Sequence, residues 1–104
     1  MSGDERIRAV RAAMQTDGTY ITVSDDEILQ AIAELGKMGV FSEPAGAAAY
    51  AGMVKGTATG VVGSDDPVLV LNTGSGLKDV RAAMQAVSSA PVIEPTLEAV
   101  KKLL

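Results

Sequence analysis

Val68-Leu69-Val70-Leu71 is an unbroken apolar run, and it leads into Thr73-Gly74-Ser75-Gly76. Four apolar residues without alternation leave no polar face. That predicts a strand over residues 67–71 covered on both sides, the habit of parallel sheets. A glycine-rich turn directly after such a strand, followed by a helical pattern, matches the α/β arrangement in which ligands sit beyond the carboxyl ends of strands. No other feature of the chain limits its architecture as much.

The remaining pattern alternates in the same sense. Residues 4–15 predict a helix with Ile7, Val10 and Met14 on one stripe. Asp17-Gly18 ends it, with Gly18 suited to a left-handed cap. Residues 19–23 are β-branched and aromatic, which predicts a second strand. Ser24-Asp25-Asp26-Glu27 is a capping box. Its two aspartates complement the positive end of the helix dipole. That helix runs to about Met38, burying Ile28, Ile32 and Leu35, and Gly39 stops it. Residues 40–43 form a brief extended piece, a possible third strand. Pro44 suits a first helical position, because its missing N–H would be unpaired there anyway. Residues 45–55 follow as a helix of very small residues, and residues 56–64 as a loop. Residues 80–87 predict a helix with Val80, Met84 and Val87 on one side. A last helix begins at Pro95, with Leu97, Val100 and Leu104 as its buried stripe. Val-Arg-Ala-Ala-Met-Gln occurs at 10–15 and again at 80–85, but the flanks differ and both copies are ordinary amphipathic helix.

Together these elements predict an α/β fold, a small parallel sheet with flanking helices. Two or three strands are few for such a sheet, which wants cover on both faces and neighbours at both edges. The expectation is therefore a part of something larger. An unpaired edge also predicts self-association, a possible homo-oligomer.

Composition narrows the chemistry. The chain has no Cys and no His among its 104 residues, which removes disulfides, Ser–His triads and most zinc sites. Aromatic content is 3% and net charge is −4, with no basic run, so no nucleic-acid partner is expected. No apolar stretch is long enough to span a membrane, and no secretory signal is visible, so the cytoplasm is the simplest compartment. What remains for chemistry is carboxylates, hydroxyls, lysines and backbone groups.

Three places could use them. The loop from Thr73 to Asp79 offers a hydroxyl and several backbone N–H groups with little side-chain bulk. A tight turn that needs glycine for its backbone angles explains it equally well. Gly74 and Gly76 make neither a dinucleotide fingerprint nor a P-loop. Glu43 precedes an almost uncharged helix, where an acid ordinarily caps the helix or complements its dipole. The alternative is a carboxylate aimed into a pocket. Lys37, Lys55 and Lys78 are the candidates for a Schiff-base lysine, which needs a desolvated setting. Lys37 and Lys55 lie near helix ends and Lys78 lies beside Asp79, so none is assigned that role. Asp25-Asp26 and Asp65-Asp66 supply too few oxygens for a hard cation and read as solvated charge.

Three segments, in order and at matching spacing, carry a resemblance to the threonine synthase family. Val23-Ser24-Asp25-Asp26-Glu27-Ile28 is similar to the start of a C-terminal helix in that family. Gly39-Val40-Phe41-Ser42-Glu43-Pro44-Ala45-Gly46-Ala47-Ala48 resembles its Gly-[Ile/Val]-Phe-x-Glu-Pro-Ala-[Ser/Gly]-Ala-Ala block. Leu71-Asn72-Thr73-Gly74-Ser75-Gly76-Leu77-Lys78-Asp79 resembles its Leu-Thr-Gly-x-Gly-Leu-Lys-Asp block. Asn72 stands where relatives more often carry an apolar residue.

The resemblance covers most of residues 4–98. It implies that residues 1–104 are the C-terminal segment of a fold-type II pyridoxal-phosphate (PLP) enzyme, a partial domain related to tryptophan synthase β and threonine dehydratase. It further implies that Thr73 faces the pyridine nitrogen of PLP, that Gly74 lets backbone approach the ring, and that Glu43 lies near cofactor or substrate. A neutral hydroxyl cannot keep the ring nitrogen protonated, which makes the cofactor a milder electron sink suited to elimination and replacement. The implied reaction converts O-phosphohomoserine and water to threonine and phosphate.

The family's Schiff-base lysine and its glycine-rich phosphate loop belong to the N-terminal part, outside this sequence. The chain alone is thus expected to bind no PLP usefully, to carry no catalytic residue of its own and to be inactive. Its expected partners are the N-terminal part of the parent enzyme and a small amino-acid substrate. Two other readings stay open. One is a fragment of threonine dehydratase or another fold-type II β-replacement or elimination enzyme. The other is a free-standing, non-catalytic α/β interaction module.

Overall fold

Two capping boxes set the first half of the chain. In the computed structural model, which describes residues 2–104, the Ser2 hydroxyl accepts from the Glu5 N–H at 3.2 Å. Glu5 in turn accepts from the Ser2 N–H at 2.8 Å. This reciprocal pair starts α1 (Gly3–Thr16). Ser24 and Glu27 repeat it at 3.1 and 2.9 Å and start α2 (Asp25–Lys37). Asp17, with φ 57°, takes the left-handed position at the end of α1, so the cap falls one residue before Gly18. Gly39, with φ 85°, turns the chain after α2 as its sequence position implied.

Pro44 opens α3 (Pro44–Ala58), which runs one turn beyond the expected end at Lys55. The Thr57 hydroxyl bonds back to the Met53 carbonyl at 2.9 Å, which lets a polar residue sit in that added turn. A 3-10 turn (Gly76–Lys78), α4 (Val80–Ala86) and α5 (Leu97–Lys101) complete the chain.

The expected parallel sheet is not formed. Among the described residues the one extended pairing is an isolated antiparallel bridge between Ser42 and Ser75. Residues 19–23 and 67–71 lie outside regular structure, and the backbone of Val68–Leu71 joins no other backbone by hydrogen bonds among the described residues. The reason is physical. A strand is stabilised by ladder bonds and cross-strand side chains, and this chain offers the apolar run no neighbour. Leu69 is accordingly 86% exposed and Leu71 66%. The fold that results is helical.

The core is a compact contact of α2 with α3 and α4. Ala31, Ile32 and Leu35 of α2 meet Ala47 and Ala51 of α3 and Ala82 of α4. Alanines on α3 let the two helix axes approach closely, which is what its small-residue sequence prepared. Ile28, expected in the core, is half-buried at its margin. Lys55 ties the layer from outside: its Nζ donates to the Thr22 carbonyl at 2.7 Å and lies 3.3 Å from a Glu27 oxygen.

The apolar stripes named above are exposed, including the one around α5 that was expected to be buried. Ile7, Val10 and Met14 on α1, Val80, Met84 and Val87 around α4, and Leu97, Val100 and Leu104 around α5 all face outward. The periodicity named the apolar faces correctly, but nothing among the described residues covers them. The radius of gyration is 18.1 Å, against about 13 Å for a compact domain of this length. No helix among the described residues is long and apolar enough to cross a membrane.

Candidate functional site

The turn after α2 delivers residues 41–43 to the start of α3, and there they meet the loop of residues 72–76. The Glu43 N–H donates to the Gly74 carbonyl at 3.0 Å, and the Gly76 N–H donates to the Phe41 carbonyl at 3.0 Å. These two bonds frame the Ser42–Ser75 bridge. Ser42 is 1% exposed, the deepest polar residue of the chain. Its hydroxyl lies 2.6 Å from Asn72 Oδ1 and 3.0 Å from the Glu43 carbonyl.

Close approach here requires glycine. A Cβ on Gly46, in the first turn of α3, would strike Asn72 Oδ1 and stand 2.7 Å from Ser42 Oγ and 3.2 Å from the Thr73 nitrogen. A Cβ on Gly74 would overlap the Glu43 carboxylate, and one on Gly76 would overlap the Phe41 ring. The loop is therefore pressed against residues 41–46, with glycine at three of the contacts.

Glu43 departs from the role its position suggests. It is the N-cap residue of α3, yet its side chain makes no cap hydrogen bond. The carboxylate instead lies against Gly74, with Lys78 Nζ 3.9 Å from Oε1. Thr73, next in the loop, is exposed, and its hydroxyl has no hydrogen-bond partner among the described residues. Ser75 caps the 3-10 turn through the Leu77 N–H, and Asp79 caps α4 through the Ala82 N–H, so those side chains are committed to structure.

Thr73, Gly74 and Glu43, singled out from the sequence, thus share one surface. Sequence reasoning missed Ser42, Gly46 and the contact of Phe41 with Gly76. It noticed Asn72 only as a departure from a pattern. The available signal was the glycine at position 46, in the first turn of a helix otherwise rich in alanine.

The other candidates lie elsewhere. Lys37 is exposed, Lys55 is engaged with Thr22 and Glu27, and Lys78 is exposed beside Glu43. None is desolvated as a carbonyl-anchoring lysine must be. Asp25 and Asp26 sit in the first turn of α2, and Asp66 accepts from the Gly63 N–H at 2.7 Å. The Asp66 carboxylate thus occupies the Gly63 N–H.

The residues present fit one end of a PLP and not the others. A pyridine edge can be met by an exposed hydroxyl on a backbone held close by glycine, which Thr73 and Gly74 supply. An aldehyde-anchoring lysine and a phosphate cup are not among the described residues.

The chain is similar to several curated proteins. The chain is 41% identical over 91 residues to threonine synthase of Halalkalibacterium halodurans, covering 86% of this chain and 26% of the relative. It is 39% identical over 97 residues to threonine synthase of Mycobacterium tuberculosis, covering 91% and 27%. To threonine synthase of Methanosarcina acetivorans it is 33% identical over 98 residues, covering 93% and 24%. The chain therefore spans about a quarter of the length of the curated relatives it matches. A family model described as pyridoxal-phosphate dependent enzyme matches residues 1–74, a span that takes in α1 to α3 and ends at Gly74 itself. With most of its length inside that match, the chain belongs to the pyridoxal-phosphate dependent enzyme family.

Proposed function

We propose that this chain forms the pyridine-side wall of the cofactor site in a threonine synthase, the enzyme that converts O-phosphohomoserine and water to threonine and phosphate. The observation that carries the reading is the freed Glu43 carboxylate: it gives up capping α3 and lies on Gly74, beside the unpaired Thr73 hydroxyl. Relatives that carry the threonine synthase name, of each of which this chain matches about a quarter, support the choice of reaction.

Bound PLP supplies an electron sink for elimination and replacement at the substrate's carbons. Thr73 would donate one hydrogen bond to the ring nitrogen and leave it uncharged. Gly74, with no side chain, would let its backbone approach the ring. Glu43 would present its carboxylate beside that edge, with Lys78 Nζ 3.9 Å from Oε1.

The partner in this reading is the remaining, N-terminal part of the enzyme, which brings the anchoring lysine and the phosphate loop. The uncovered faces of α1, α4 and α5 and the apolar run 68–71 support such a partner, since large exposed apolar surface marks a contact surface. Left alone, the chain self-associates through those faces. We place the assembled enzyme in the cytoplasm.

The test is reconstitution. The chain is mixed with the N-terminal part of one of the named relatives and followed by PLP absorbance and phosphate release. The chain alone should give neither, and the mixture both. Thr73→Ala in the mixture should lower turnover while leaving the helical circular dichroism intact. Phosphate release by the chain alone, or unchanged kinetics in Thr73→Ala, would refute the assignment.

A further inference from the structure

The deepest polar side chain in the molecule belongs to Ser42, and none of the roles described so far uses it. Its hydroxyl donates to Asn72 Oδ1 across 2.6 Å, joining positions thirty residues apart in sequence. Asn72 immediately precedes Thr73. Gly46 is the third member of the arrangement, because only a residue without Cβ leaves room for the Asn72 amide and the Thr73 nitrogen against α3.

We propose that Ser42 and Asn72 are positioning residues that act as one latch, fixing the Thr73-Gly74 turn on the start of α3. Backbone bonds alone hold the two segments at Phe41–Gly76 and Glu43–Gly74. Both lie on the Gly74–Gly76 side of Thr73. Without a tie on the other side, Thr73 can pivot about Gly74. The Ser42–Asn72 bond supplies that second tie, so the Thr73 backbone is held on both sides. An apolar side chain at position 72 could fill the space but could not fix an orientation, because dispersion contacts have no preferred angle. The meaning of the latch for cofactor rests on the function proposed above, but the latch itself does not.

The test is a double-mutant cycle on the 104-residue chain with Ser42→Ala, Asn72→Ala and the double variant. Amide hydrogen exchange is read by NMR at Glu43 and Gly76, the two bridge donors, and in the α2–α3 core. The Thr73 and Gly74 amide resonances are followed as the local signature. Each single variant should speed exchange at the bridge about fivefold, the effect of one hydrogen bond. Core amides should stay unchanged, and the Thr73 and Gly74 resonances should move.

The double variant should match the singles, because either truncation removes the same bond. Additive effects, or equal acceleration in the core and at the bridge, would overturn the latch. So would bridge exchange that does not change at all. If the latch passes and no PLP band appears on reconstitution, the functional reading fails and the latch stands.

Discussion

Gly46 and Gly52 lie on the same helix, and replacing each with alanine should move stability in opposite directions. Both substitutions gain helix propensity, about 0.5–1 kcal/mol per glycine replaced. At Gly52 that gain is free, since an added Cβ meets nothing within 4 Å. At Gly46 the Cβ lands on the Asn72 carbonyl oxygen and 2.7 Å from Ser42 Oγ, with the Thr73 backbone nitrogen at 3.2 Å. Pushing that loop away costs about 1–3 kcal/mol in overpacking and about 1 kcal/mol for the Ser42–Asn72 bond. Gly46→Ala should therefore lose about 1–3 kcal/mol net, and the two variants should differ by about 2–4 kcal/mol. Urea unfolding followed by far-UV circular dichroism measures it, provided the slope with denaturant is common to the variants. If Gly46→Ala stabilises as much as Gly52→Ala, the 72–74 turn does not rest on α3, and the site described above falls with it.

Three further outcomes follow from the same geometry. Gly74→Ala should displace the Glu43 carboxylate; its helical dichroism should be retained while the PLP band of the reconstituted enzyme is lost, and a normal band would contradict the contact. The Glu27 carboxyl is held below its ordinary value of 4.5, first by the Ser24 N–H and then by Lys55. A depressed acid contributes stability above its unfolded pKa and loses it as pH falls through the lower, folded pKa. Thermal stability should therefore decline on acidification from 4.5 downward, and Glu27→Gln should flatten that part of the curve; a parallel curve would exclude the linkage. Finally, α1 buries no residue, so its amides should exchange much faster than those of α2 and α3, and comparable protection would mean that the helix is packed.

Helix starts were legible because capping is local. Ser24 and Glu27 need only three residues of spacing to find each other, and Pro44 needs only its own ring. The apolar faces were legible too, but their burial was not. Periodicity shows which side of α1 or α4 is apolar, and it is silent on whether anything lies opposite. The strand at 67–71 failed for the same reason. Continuous apolar residues describe a strand between neighbours, and this chain supplies none. At the site, the glycines of 74–76 fitted either a turn or a ligand-facing loop, and Ser42 drew no attention because its partner lies thirty residues away.

By itself the sequence determined the starts of α2 and α3 and, through its Glu-Pro-Ala and Thr-Gly-Ser-Gly-Leu-Lys-Asp blocks, the family. Both depend on residues close together in the chain. Only the tertiary structure decided that Val68–Leu71 is left unpaired, that Glu43 turns from its helix toward Gly74, and that Ser42 reaches Asn72. Each of those depends on which atoms meet across thirty or more residues, or fail to, and no local pattern encodes a neighbour's presence.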